Sequence, residues 1–226
     1  PRLTVHYANQ MHLTGAKEAV ADYTEKNADF HQIVADMANI PRKQAKTINL
    51  GLSYGMGKQK LTKELGLDDN EAEELFTQYH NKVPFIRGLQ DQCARVALDR
   101  GYIRTIAGRR CRFDHWEHRF EDSVPLPLEE AKEKYGDNLK RSYTYKALNR
   151  LIQGSAADMT KLAMLGLWEE GIVPHLQVHD EVDISIENTD QARKVARIME
   201  NCIELAVPLV VDIELGRSWG ETEELT

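Results

Sequence analysis

The sequence predicts an α+β fold, and three observations carry that prediction. Helical patterns fill the first half of the chain. Alternation of apolar and polar residues comes later, in "HLQVHDEVDISIE" (175–187), which reads as strand, tight turn, strand. Between them "YIRTIAGRRCRF" (102–113) reads as two short strands around Ala107–Gly108. A helical first half followed by strands with helices is the α+β order.

Taken in order, "LTVHY" (3–7) is a short β-like run. Residues from about Ala16 to Met37 are helical, with a break near Asn27–Asp29. Asn39 is a candidate cap, and Pro41 starts the next helix, where its missing N–H does no harm. A further helix follows "SYGMG" and ends near Gly66. "DDNEAEELFTQYHNKV" is a helix with acids in its first turn, which suits the helix dipole. "FIRGLQDQCARVALDRG" is amphipathic and ends at Gly101. Residues 113–140 are polar and punctuated, the expected long excursion. "SYTYKALNRLIQGSAADMTKLAMLGLWEEG" (142–171) is one long helical pattern. Its patch Gly154, Ser155, Ala156, Ala157 would let something large approach closely. "TDQARKVARIMENCIELA" (189–206) is a helix and "VPLVVDIELG" (207–216) a final strand.

The chain has 226 residues, 42% apolar and 29% charged, enough for a proper hydrophobic core. Three irregularly spaced cysteines argue against a disulfide framework and for a reducing compartment, the cytoplasm. No apolar run has membrane-spanning length, and no membrane partner is expected. The start at "PRLTVHYANQ" is neither a Met nor a signal peptide, so the chain is expected to be part of something longer. The formal net charge of −7 argues mildly against nucleic acid, but the charge is segregated. "ELGLDDNEAEEL" (64–75) and "GETEEL" (220–225) hold much of the acid, while "RGYIRTIAGRRCR" (100–112) has five arginines and no acid. Such segregation lets an acidic protein keep a basic groove.

Counting in fours along "PRKQAKTINLGLSYG" (41–55) gives Arg42, Lys46, Leu50 and Tyr54. On a helix these drift slowly across one face. Arg and Lys can hold phosphate oxygens, while Leu and Tyr offer a flat apolar surface. A nucleoside triphosphate has that polarity. A surface helix whose last turn packs in the core gives the same spacing, so both readings stand. At the other end of the chain, "QVHDEV" puts His179, Asp180 and Glu181 at a hairpin tip between strands apolar enough to be buried on one face. Adjacent acids at a turn usually mark only a turn. A carboxylate at the end of a buried strand is also a good Mg²⁺ ligand, although one Asp cannot form a two-metal site. Cys111, His115 and His118 in "CRFDHWEH" fit no standard four-ligand zinc spacing, so that stretch reads as a polar loop. No P-loop, dinucleotide glycine fingerprint or G-x-S-x-G elbow is present.

The combination resembles the family A DNA polymerases. Arg42, Lys46, Asn49, Gly51, Tyr54 and Gly55 fill the fingers-helix pattern of that family without a gap. "LQVHDEV" resembles its palm motif, "ALNRLIQGSAAD" its primer-terminus segment, "GYIRTIAGRR" the strand pair between fingers and palm, and "ADFHQIVA" its Asp-x-His segment. The likeness runs in order from Pro1 to about Trp219, with a phage-like flavour. It implies a helical fingers subdomain plus a palm with an antiparallel sheet and packed helices. Residues 1–15 would be a palm edge, 16–140 the fingers with the connecting hairpin and excursion, and 141–226 the palm. It further implies DNA-templated DNA synthesis with two Mg²⁺ ions, dNTPs and primer-template DNA. His31, Arg42, Lys46, Leu50 and Tyr54 would line the dNTP site, with Lys46 a general acid. Asp180 would bind metal with Glu181 beside it, and Arg109, Arg110, Asn149, Gln153 and His179 would face DNA.

Four departures from the family pattern stand out. Pro1 and Arg2 look like the last two positions of the other palm motif, Asp-(Tyr/Phe)-Ser-x-x-Glu-x-Arg. A first catalytic Asp is therefore expected upstream, with the thumb, on the same gene product or a companion chain. Leu50 stands where Phe or Tyr is usual, a position that influences discrimination at the sugar. Tyr145 stands where many relatives are basic, and residues 113–140 look longer than in compact bacterial members. Two rivals remain: a non-catalytic DNA-binding or assembly subunit of a replication complex, and a metal-dependent phosphohydrolase built on the same acids.

Overall fold

Two apolar cores organise the chain, and two helices belong to both. The computed structural model describes residues 1–26 and 28–225. Helix α1 (Arg2–Gln10) sends Val5 and Ala8 into the first core and Leu3 and Tyr7 into the second. This corrects the β-like reading of "LTVHY". Leu3 through Ala8 are all buried, Thr4 and His6 included, so no solvent face exists to mark the period. The polar His6 is held through one ring nitrogen, its Nδ1 accepting the Ala206 N–H at 3.0 Å, while its buried Nε2 has no hydrogen-bond partner among the described residues.

The first core is closed by α2 (Ala16–Glu25), α3 (Phe30–Ala38), α4 (Arg42–Ser53), α5 (Lys58–Leu65) and α6 (Asp69–Lys82). The expected break separates α2 from α3 at 28–29, while Asn27 lies outside the described residues. Asn39 caps the C-terminus of α3, not the start of α4; its φ of 50° lies in the left-handed region that Asn tolerates. α6 starts on a capping box in which Asp68 and Glu71 satisfy each other's backbone N–H groups.

Helix α7 (Phe85–Arg100) bridges the cores, with Phe85 and Ile86 in the first and Leu89, Cys93 and Ala97 in the second. The hairpin β1 (Tyr102–Arg104) and β2 (Arg110–Arg112) follows as expected, with Ile103 opposite Cys111. The excursion is folded rather than a loop. β3 (His115–His118), β4 (Leu126–Pro127) and β5 (Leu139–Arg141) form a sheet in the order β4-β3-β5, with α8 (Leu128–Tyr135) beside it. His115 and His118 therefore sit on a strand. Strands this short give no readable alternation, and one side chain anchors the unit. The Arg141 guanidinium donates to the carbonyls of Leu98 (3.2 Å) and Phe113 (3.0 Å) and lies 4.3 Å from the Trp116 ring centre.

A 3₁₀ turn (Thr144–Lys146) leads into α9 (Ala147–Glu169), whose first half completes the second core with Ala147, Leu148, Leu151 and Ile152. The hairpin β6 (Leu176–Val178) and β7 (Glu181–Asp183) is present, but its strands are not buried on one face: Leu176, Gln177 and Glu181 are exposed. Helix α10 (Thr189–Glu200) packs on α9 and ends at Glu200, short of Ala206. The expected strand at 207–216 does not form over 207–213. Burial alternates there, but among the described residues no strand pairs with it, and the Val211 N–H goes to Glu200 Oε1 at 3.0 Å. The terminal hairpin is β8 (Glu214–Ser218) with β9 (Glu221–Glu224). Among the described residues the strands are thus spread over four small antiparallel sheets. Among the described residues no helix is long and apolar enough to cross a membrane.

Candidate functional site

Helix α4 separates two lines of side chains. Ala45, Ile48, Asn49, Leu52 and Ser53 are buried. Arg42 and Lys46 are exposed, and Leu50 and Tyr54 half-buried. The core stripe is therefore a different line; the cation-to-apolar line is open at Arg42 and Lys46, while at its far end half-buried Tyr54 packs against the second core. Arg42, Lys43 and Lys46 crowd the helix N-terminus, which has no acid in its first turn. Positive charge at the positive end of the helix dipole is unfavourable unless an anion lies against it.

The far end of α4 is held by its neighbours. Gln90 Nε2, on α7, donates to the last carbonyls of the helix, Leu52 (3.1 Å) and Ser53 (2.9 Å). Gly55, with a φ of 88°, turns the chain so that the Met56 N–H returns to the Gly51 carbonyl at 2.8 Å. The positive φ accounts for Gly55, whereas a Cβ at Gly51 would collide only with the Met56 methyl, the end of a flexible side chain that can shift.

Asp29 and Asn49 organise the cationic end. One Asp29 oxygen caps α3 by accepting from the N–H of His31 (2.9 Å) and Gln32 (3.2 Å), while the other accepts from Arg42 Nε at 2.6 Å. Burial pushes the Asp29 carboxyl up, but the Arg42 bond and the two N–H groups outweigh it and hold it below the usual range. Asn49 Nδ2 donates to the Phe30 carbonyl and to His31 Nδ1, both at 3.1 Å. Its Oδ1 accepts from the Tyr79 hydroxyl at 3.0 Å, and Ser53 Oγ lies 3.0 Å from that hydroxyl. Burial, with Arg42 and Lys46 among the neighbouring cations, pushes the His31 pKa down. The line of α4 and His31 of α3 thus meet on one face.

Tyr54 links this face to α9. Gln153 Nε2 donates to its hydroxyl at 3.2 Å, joining two residues singled out separately in the sequence. The small-residue patch of α9 does receive something large: the β1–β2 turn. Ser155 Oγ accepts the Ile106 N–H at 3.0 Å and lies 2.7 Å from the Tyr7 hydroxyl, and a Cβ at Gly154 would collide with Thr105. Arg109 donates to buried Asp158 (3.0 Å) and to the Gly154 carbonyl (2.9 Å), yet its side chain stays half exposed. Burial pushes the Asp158 carboxyl up, but bonds from Thr105 and Arg109 bring it below the usual range. Arg110 is exposed over the Tyr102 ring, 4.8 Å from its centre, and Asn149 is half-buried near the start of α9.

His179, Asp180 and Glu181 are exposed at the β6–β7 tip, where His179 has a φ of 55°. Gln177 bonds to the His179 carbonyl across the turn. Among the described residues no hydrogen bond or ion pair ties Asp180 or Glu181 to the α4 face. Their carboxylates are oxygen donors of the kind Mg²⁺ takes, but a two-ion site needs more ligands than this. Among the described residues no group of three His, Cys, Asp or Glu could hold a metal. The sequence reading missed Asp29, Tyr79, Gln90 and Asp158 as organisers of the site. Asp29 was within reach, two residues before His31 and at a helix start; Tyr79 and Gln90 carry no local signal.

The family model for DNA polymerase family A matches residues 2–221. A DNA-directed DNA polymerase of Pseudomonas phage M6 is 37% identical over 98% of this chain and 37% of its own length. A thermostable DNA polymerase I of Thermus aquaticus is 32% identical over 94% of this chain and 26% of its own length. The solved POL domain of an M. smegmatis polymerase, in complex with DNA primer-template and dNTP, is similar with a TM-score of 0.68 and 26% identity. That likeness covers 92% of this chain and 36% of the other. The chain therefore spans between about a quarter and just over a third of these relatives.

Proposed function

The chain belongs to DNA polymerase family A, and on that premise we propose that it supplies the fingers and most of the palm for DNA-templated DNA synthesis. The observation that carries the reading is the α4 line, cationic and exposed at Arg42 and Lys46 and half-buried at Leu50 and Tyr54, with His31 close enough to feel both cations. Residues 16–140 act as fingers with the connecting hairpin and excursion; residues 1–15 and 141–226 act as palm. The setting is the cytoplasm, that of a host cell if the gene is a phage's.

Arg42, Lys46 and His31 hold the triphosphate of the incoming dNTP, and its base and sugar lie toward Tyr54 and Leu50. The primer 3′-hydroxyl gives up its proton to solvent as its oxygen attacks the α-phosphorus, the bond from the α-phosphorus to the bridging oxygen breaks, and Lys46 gives a proton to the departing pyrophosphate. Two Mg²⁺ ions, when bound, supply charge neutralisation and a more acidic 3′-hydroxyl. Asp180, with Glu181 beside it, is this chain's contribution to holding them; the further Asp comes from an upstream segment or companion chain that also carries the thumb. Asn149, Gln153, Arg110, His179 and the exposed part of Arg109 face the primer-template. Closure of α4 onto a correct base pair releases the Tyr54–Gln153 bond and brings Tyr54 to the templating position, an induced-fit selection.

The test is primer extension by the complete polymerase, offered one nucleotide at a time. Extension only by the complement of the template base, abolished in Asp180→Ala, is the expected result. Template-independent phosphate release would favour a phosphohydrolase. Full extension by Asp180→Ala would favour a non-catalytic assembly role.

A further inference from the structure

We infer that Asn49, itself oriented by Tyr79, is a positioning residue that holds His31 in one neutral tautomer, with Nδ1 unprotonated and the proton on Nε2. The Phe30 carbonyl, 3.1 Å from Asn49 Nδ2, can only accept, so the amide cannot be turned over without setting oxygen against oxygen. The second hydrogen of Nδ2 is then aimed at His31 Nδ1, also at 3.1 Å, and that ring nitrogen must accept. With the amide fixed by the Phe30 carbonyl, Tyr79 completes the same orientation from the other side, its hydroxyl donating to Asn49 Oδ1 at 3.0 Å. Tyr79 is buried, and Ser53 Oγ lies 3.0 Å from its oxygen, free to donate once the Tyr79 proton is committed to Asn49. The amide's two donors and its oxygen are all engaged, so the arrangement is rigid rather than one of several.

The consequence for the ring is specific. The charged groups that influence it are the Pro1 amine, Asp29, Arg42 and Lys46. Asp29 is already engaged by Arg42 and by the cap of α3, so it does not compete for the ring protons. A neutral ring with Nε2–H presents a donor to an anion; the opposite tautomer would present a lone pair there and repel it. This deepens the proposed function, because it rests on His31 meeting the triphosphate, and it adds Asn49 and Tyr79 to the residues that make that meeting productive.

The test is the ¹⁵N spectrum of histidine-labelled complete polymerase at neutral pH. His31 is expected to show an unprotonated Nδ1 and a protonated Nε2. A protonated Nδ1, or a mixture of tautomers, overturns the inference. In Asn49→Asp the new carboxylate accepts where the amide donated, so both ring nitrogens should be protonated at a pH where the wild type is neutral. An unchanged ring in a folded variant overturns it as well. Tyr79→Phe should bring in a second His31 tautomer signal and raise KM for dNTP several-fold with kcat near wild type. A single unchanged tautomer would remove Tyr79 from the account. If the tautomer shifts in these variants while dNTP affinity does not, the positioning stands and the triphosphate role of His31 falls.

Discussion

At the α3–α4 face, Asn49 has its amide fully engaged, Asp29 serves both Arg42 and a helix cap, and the C-terminus of α4 is stapled by Gln90 and Gln153. At the β6–β7 tip, Asp180 and Glu181 stand exposed on a two-stranded hairpin of three-residue strands. The two regions carry the two halves of the proposed chemistry, substrate grip and metal binding. The α3–α4 face is organised by residues between 29 and 153 of this chain, whereas the carboxylates are presented without a supporting shell from the described residues. Preorganisation of this kind makes a side chain matter to stability as well as to function. An exposed tip makes it matter to function alone.

Paired substitutions break the comparison most sharply. Asp180→Ala should lower nucleotide incorporation about a thousandfold or more, since metal-assisted charge stabilisation is worth several kcal/mol. Its unfolding free energy should stay within about 0.5 kcal/mol of wild type, as for surface changes generally. Asn49→Ala should do the reverse in kind. It removes the Asn49 bonds to the Phe30 carbonyl, His31 and the buried Tyr79 hydroxyl, leaving that hydroxyl to Ser53, and should cost about 2 kcal/mol of stability. Denaturant unfolding beside single-turnover extension measures both. Equal stability losses would erase the distinction between the two regions.

The same contrast explains what the sequence made legible. The α4 line was readable because its residues are four apart on one helix, and its orientation was decided only by the buried stripe Ala45, Ile48 and Leu52. His31 was readable through its motif, but Tyr79 reaches Asn49 across 30 residues and leaves no local pattern. Helix α1 was misread because it is shared by two cores and buried all round, which erases the period of 3.6. The β6–β7 turn was found, yet the burial of its strands was wrongly expected: apolar alternation says which face would be buried, not whether anything covers it. Residues 113–140 hid a sheet in strands of two to four residues anchored by Arg141.

A smaller effect sharpens the reading of the α4 face itself. Leu50 is half-buried on the open line, between the cationic end and Tyr54. Leu50→Tyr should change the ratio of dideoxynucleotide to deoxynucleotide incorporation several-fold, a difference of about 1 kcal/mol. Competition between the two substrates on one template measures it. An unchanged ratio would move Leu50 away from the sugar.

The central claim is that the open line of α4 grips the incoming triphosphate. Its most direct test is the dissociation constant for the correct dNTP, measured by single-turnover kinetics on a preformed complex with primer-template, in wild type and Arg42→Ala. Loss of a charge-assisted contact worth about 1.5–3 kcal/mol predicts a tenfold to hundredfold weaker dNTP affinity, with primer-template affinity unchanged. Unchanged dNTP affinity, with weakened hold on DNA instead, would contradict it and turn the line from the nucleotide toward the template.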